Sequence, residues 1–82
     1  MLFRSLEVEL LEGVLFDPAK LARVQAVVTP IDFHSLKCRA IYGAMTRVEA
    51  ITVPLLCEDL DRSGDLERAG GIEGVSELHE GA

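Results

Sequence analysis

The sequence predicts an all-α fold, a compact single-domain bundle of about five or six short helices, and three observations carry that prediction. Apolar residues recur at intervals of three and four rather than in alternation, the pattern of one buried helix face. Each proline stands just after a residue that can cap a helix, in Asp17-Pro18, Thr29-Pro30 and Thr52-Val53-Pro54. No stretch alternates apolar and polar residues with β-branched enrichment, so nothing calls for a sheet.

Ser5 is a good N-cap for a first helix over Leu6 to Phe16. There Leu6, Leu10 and Val14, with Leu11 and Leu15 beside them, recur at helical spacing while Glu7, Glu9 and Glu12 project elsewhere. Asp17-Pro18 opens a second helix running to about Val28, with Leu21, Val24, Val27 and Val28 facing inward. Thr29-Pro30-Ile31-Asp32 has the form of a capping box and predicts a short helical turn through Phe33. Ser35 then caps the longest helix, whose stripe is Leu36, Ala40, Ile41, Ala44, Met45 and Val48, with Lys37, Arg39, Arg47 and Glu49 mostly off it. Pro54 marks the first turn of the next, after Thr52 or Val53, anchored by Leu55, Leu56 and Leu60 and closed near Arg62 or Ser63 by Gly64 in a left-handed conformation. Two short pieces, about Leu66–Ala69 and Ile72–Leu78, meet at Gly70-Gly71, and Gly74 weakens the second because a helical glycine costs about 1 kcal/mol relative to alanine. The expected core is Leu10, Val14, Leu21, Val24, Phe33, Ile41, Tyr42, Met45, Leu56, Leu60, Leu66 and Leu78, with turns at Gly64, Gly70 and Gly71.

The chain has 82 residues, 49% hydrophobic and 27% charged, which suits one folded core and argues against disorder. Such a core leaves only about 3–5 kcal/mol of net stability, so support from a partner or a second copy is expected. The net charge of −6 is uneven. Residues 1–57 hold six acids and six bases, whereas residues 58–82 hold eight acids against Arg62 and Arg68. A field of that sign repels phosphates, so direct nucleic-acid binding is not expected. Cys38 and Cys57 lie in apolar helical segments without the density of a disulfide scaffold, consistent with a reduced, cytoplasmic setting. No apolar run approaches the roughly 20 residues of a membrane span, and the first residues lack the apolar core of a signal peptide.

No catalytic, cofactor or metal site emerges. The glycine-rich pair Gly70-Gly71 is followed by Ile72-Glu73, the wrong charge for holding phosphate, so nucleotide hydrolysis is not expected. His34 and Cys38 have the spacing of two metal ligands, or of a base beside a thiol, but lack evident further ligands; Cys38 reads better as a small packing residue and His34 as part of a turn. Cys57 and His79 carry less. Glu58, Asp59 and Asp61 read as a solvated face rather than a catalytic pair. Phe33 and Tyr42 could stack bases, but their place in or beside the apolar stripe favours core packing.

In order and spacing these elements resemble the N-terminal domain of replicative DNA helicases of the DnaB type, over nearly the whole chain. A Glu-containing helix and an Asp-Pro turn correspond to Glu7–Phe16 and Asp17-Pro18. An Asp-Phe-Tyr motif, a His-Arg pair and an Ile-Phe-x-Ala helix correspond to Asp32-Phe33, Arg39 and Ile41-Tyr42-Gly43-Ala44. An Asp-x-x-Thr-Val helix, a Gly-x-Leu turn and a Gly-Gly-x-x-Tyr-Leu segment correspond to Thr52–Leu60, Gly64-Asp65-Leu66 and Gly70–Val75. The chain departs at His34, Cys38, Thr52 and Gly74, where the family has Tyr, His, Asp and Tyr, and its loop before Thr52 is shorter. The resemblance implies a non-catalytic assembly domain that forms a homo-oligomer, as a dimer or hexameric collar, and docks primase or the helicase loader. ATP and Mg would belong only to a motor domain that this sequence does not include. The sequence ends at Ala82, before the helical hairpin that normally follows. A stand-alone copy from a phage or mobile element, competing for primase or loader, is the alternative reading. Apolar residues beyond the core, above all Phe3 and Phe16, with Leu2 beside them, are candidates for self-association.

Overall fold

A computed structural model describes residues 6–81. Among them are five α-helices, α1 (Leu6–Phe16), α2 (Leu21–Gln25), α3 (Leu36–Arg47), α4 (Val53–Ser63) and α5 (Gly71–Glu80), with 3-10 turns at Pro18–Lys20 and Pro30–Asp32 and no strand. The candidate positions Leu2, Phe3 and Ser5 lie outside the described residues.

Which of two overlapping leucine stripes on α1 turns inward is decided by its neighbours α3 and α5. Leu11, Val14 and Leu15 are buried, Leu10 is half-buried, and Leu6 stands 82% exposed. Glu12, expected to project outward, is buried beside Leu11 because the stripe is rotated by one residue.

The second helix is shorter than expected. A 3-10 turn capped by Asp17 precedes α2, which stops at Gln25 with no residue fully buried. The N–H groups of Val27 and Val28 both donate to the Val24 carbonyl (3.1 and 2.8 Å), so the chain leaves the helix in a tight turn. Branching at Val24, Val27 and Val28 lowers helix propensity, and Pro30 biases Thr29 towards the extended conformation it adopts. Val27 is consequently exposed rather than inward, while Leu21, Val24 and Val28 pack half-buried at the rim of the core.

Capping chemistry places the next two helices where the sequence puts them. Ser35 Oγ accepts from the Cys38 N–H and opens α3; Thr52 Oγ1 accepts from the Leu55 N–H and opens α4 (both 3.3 Å). Gly64 closes α4 at φ 82°. Phe33, Ile41, Tyr42, Ala44 and Met45 with Leu56 and Leu60 form the centre of one core, completed by Ala69, Val75 and Leu78. Leu36, expected in the α3 stripe, is exposed at the first position of α3, while Cys38, two residues on and on the opposite side of the helix, is in the core.

The expected helical piece at Leu66–Ala69 is a series of turns: Asp65 and Leu66 both donate to the Leu60 carbonyl (2.8 and 3.1 Å), which uses the end of α4 rather than starting a new helix. Leu66 is therefore half-buried, and Ala69 is the fully buried residue of this stretch. Gly70 and Gly71 have φ of 88° and 71°, and α5 then runs unbroken through Gly74 to Glu80. Among the described residues no helix is long and apolar enough to cross a membrane.

Candidate functional site

The residues that carry the sequence motifs converge on one segment, the connection from Val28 to Ser35 between α2 and α3. A connection this short cannot satisfy all its own backbone groups, and side chains from α1 and α3 serve several of them. Glu7 of α1 reaches across the chain, its carboxylate accepting the His34 N–H at 2.6 Å and the Ser35 N–H at 3.0 Å. Arg39 of α3 donates through Nε and Nη2 to the Phe33 carbonyl at 3.2 and 2.9 Å. Tyr42 donates its hydroxyl to the Val28 carbonyl at 2.7 Å. Within the segment, the Asp32 carboxylate accepts the Thr29 N–H at 2.7 Å and the Thr29 hydroxyl at 3.0 Å. Phe33 packs on Tyr42 with ring centroids 4.8 Å apart and a tilt of 32°, and both rings are buried, so neither can stack a base.

The electrostatics follow from these bonds. The His34 and Ser35 N–H groups hold the Glu7 carboxyl below its ordinary value of 4.5, and the N–H and hydroxyl of Thr29 do the same for Asp32. A carboxyl depressed in the folded state stabilises the fold above its unfolded value and loses that contribution as pH falls through the folded one. Glu7→Gln is therefore expected to flatten the acid limb of a melting-temperature profile below about pH 5 and to change little of its slope near neutrality. An acid limb as steep as that of the parent chain would show that the Glu7 bonds do not contribute.

The two outward-projecting residues Glu7 and Arg39 thus prove to be fastenings, which helical periodicity could not reveal because their partners are backbone groups outside their own helices. Their position in the motifs was the only available signal.

The remaining candidates do not assemble. His34 is exposed and Cys38 buried, and no group of three or more His, Cys, Asp and Glu side chains among the described residues could hold a metal ion. Burial pushes the Cys38 thiol up, reinforced by the charge of Glu7, and burial pushes Cys57 up as well. A protonated, enclosed thiol is a poor nucleophile. Both cysteines are expected to react with a disulfide reagent at neutral pH only in step with unfolding, read by absorbance with and without urea; fast labelling of the native chain would overturn this. Of the acidic run, Glu58 pairs with Arg62 on the surface (2.7 Å) and Asp59 with Arg47 (2.7 Å), while Asp61 is exposed.

What the fold leaves available is surface. Phe16 and Val27 are 78% and 79% exposed, and Ile31, Leu36 and Ile72 are also exposed. Beside Leu36 lies a groove of about 250 Å³ between α3 and the 65–68 turn, with Pro30, Ala40 and Gly43 in its wall and Arg39, Arg47 and Arg68 around it.

Residues 4–82 match the DnaB-like helicase N terminal domain family. The replicative DNA helicase DnaB of Geobacillus stearothermophilus is 33% identical over 81 aligned residues, covering 92% of this chain and 18% of that protein. The chain thus spans less than a fifth of the length of this curated relative. No solved structure matches.

Proposed function

The chain belongs to the DnaB-like helicase N-terminal domain family, and from that premise we propose that it is a protein-contact domain of a cytoplasmic DNA-replication assembly. It self-associates in the manner of a collar and docks primase or the helicase loader, while ATP-driven unwinding belongs to a motor domain. The observation that carries the reading is the match across residues 4–82, which includes every element of the fold. The chemistry of the chain is compatible with it: Asp32, Phe33 and Tyr42, with the Nε and Nη2 groups of Arg39, are engaged in holding the Val28–Ser35 segment, so function is left to the surface.

The test is the solution mass of the chain by light scattering across a concentration series, joined to calorimetric titration with primase and with loader from the same source. Self-association, or saturable binding of either protein, supports the reading. A monomer that binds neither overturns it. Phe16→Ala is expected to lower the mass while leaving stability within about 0.5 kcal/mol, because the ring is exposed at the end of α1 and removing it opens no core cavity. Unchanged association in that variant would remove Phe16 from the contact.

A further inference from the structure

Resting on the reading of the chain as a protein-contact domain, we propose that the groove between α3 and the 65–68 turn docks an acidic, apolar-faced helical segment of a partner protein. The groove is a basic island on an acidic chain. Three of the eight cationic residues, Arg39, Arg47 and Arg68, border it against one acid, Asp65, while the chain as a whole carries −6. The lack of a side chain at Gly43 lets the Arg47 guanidinium lie close over α3: a Cβ there would stand 3.2 Å from Arg47 Nη1, and Gly43 is buried beneath it. Leu36, 60% exposed, supplies an apolar edge.

The three guanidiniums are held in place by contacts that use only some of their N–H groups. Arg39 is fixed by the Phe33 carbonyl, Arg47 by Asp59 through Nε and Nη2 (3.0 and 2.7 Å), and Arg68 lies 3.5 Å from Asp65 with its side chain 68% exposed. An arginine can take a further carboxylate on its remaining N–H groups, and prior positioning reduces the entropy lost when it does. Glutamates at helical spacing on a partner would meet Arg47 and Arg68, while a leucine between them would cover Leu36 and Ala40. A nucleic-acid strand suits the groove less well. The apolar edge of Leu36 and Ala40 offers nothing to a sugar-phosphate backbone.

The experiment is fluorescence anisotropy on the full chain with three labelled probes: a peptide with glutamates and leucines at helical spacing, its lysine-for-glutamate counterpart, and an oligothymidylate. Binding of the glutamate peptide is expected, with Kd raised about tenfold or more by Arg68→Gln, which removes charge, and by Gly43→Leu, which fills the groove. Arg62→Gln, an equally exposed change outside the groove, should leave it unaltered. If Gly43→Leu does not fold, as circular dichroism would reveal, Arg68→Gln decides, since its side chain is mostly solvent-exposed. Binding indifferent to Arg68→Gln, or tighter binding of the lysine peptide, overturns the proposal. So does oligothymidylate binding that Arg68→Gln abolishes, which would make phosphate the ligand. Failure of the peptide with self-association, or primase or loader binding, still positive removes the groove alone; failure of all of these removes the contact-domain reading as well.

Discussion

Gly74→Ala is expected to destabilise the chain by about 3 kcal/mol, most of what a core of this size supplies. Helix propensity points the other way, since alanine is favoured over glycine by about 1 kcal/mol in a helix interior. Geometry decides. A Cβ at position 74 would stand 2.4 Å from the Ala69 carbonyl oxygen and 3.3 Å from its carbon. The obstacle is backbone, not the far end of a flexible side chain, and Ala69 is itself fully buried, so it has no room to withdraw. The approach arises because Gly70, at φ 88°, turns the chain sharply into α5, and the Gly74 N–H bonds the Gly70 carbonyl at 3.0 Å. The tyrosine that the resembled motif carries here has no place on this backbone. Gly13→Ala on α1 is the control: a Cβ there meets nothing within 4 Å, and the change is expected to stabilise by about 0.5–1 kcal/mol. Urea denaturation of both variants reads the contrast. Equal behaviour of the two would mean that α5 does not pack so closely on the 65–70 turns.

Tyr42→Ala is expected to cost about 4 kcal/mol and to leave the chain largely unfolded at room temperature. The ring is fully buried among Phe33 and the α3 and α4 residues of the core. Its removal leaves a cavity and also frees the Val28 carbonyl that its hydroxyl holds at 2.7 Å. Tyr42→Phe separates the two effects, keeping the packing and removing the donor, at an expected cost of about 1–2 kcal/mol. Because the hydroxyl ties the end of the α2 turn to α3, hydrogen exchange in Tyr42→Phe should quicken around Val28 before it does in α3 and α4. Uniform acceleration throughout the chain would mean that the bond contributes only to global stability.

The parts of this molecule legible in its sequence are those governed by local chemistry. Ser35 and Thr52 are caps, and Pro54 and Gly64 bound α4, because each acts on backbone groups within four residues of itself. On α3 periodicity picks out Ile41, Ala44 and Met45, but not the exposure of Leu36 or the burial of Gly43. Periodicity failed where two stripes overlapped. On α1 both Leu6-Leu10-Val14 and Leu11-Val14-Leu15 have helical spacing, and burial chose the second. It failed again after Gln25, where a valine-rich run compatible with helix was drawn out into a turn by Pro30 and by the Tyr42 hydroxyl.

The family resemblance was likewise visible in the order of motifs, but the work of the motif residues was not. Glu7 bonds the backbone 27 and 28 residues away, Arg39 fastens the Phe33 carbonyl, and Arg68 joins Arg47 only because the 65–70 segment folds back against α3. Sequence alone therefore determined the helical class, the caps, the apolar centre and the family. The tertiary structure decided which stripe of α1 is inside, why Gly74 must be glycine, and where an acidic chain gathers three arginines. The division has one physical reason: caps and periodicity act within a turn or two of helix, whereas burial, close backbone approach and the clustering of charge are set by segments that meet only when the chain has folded.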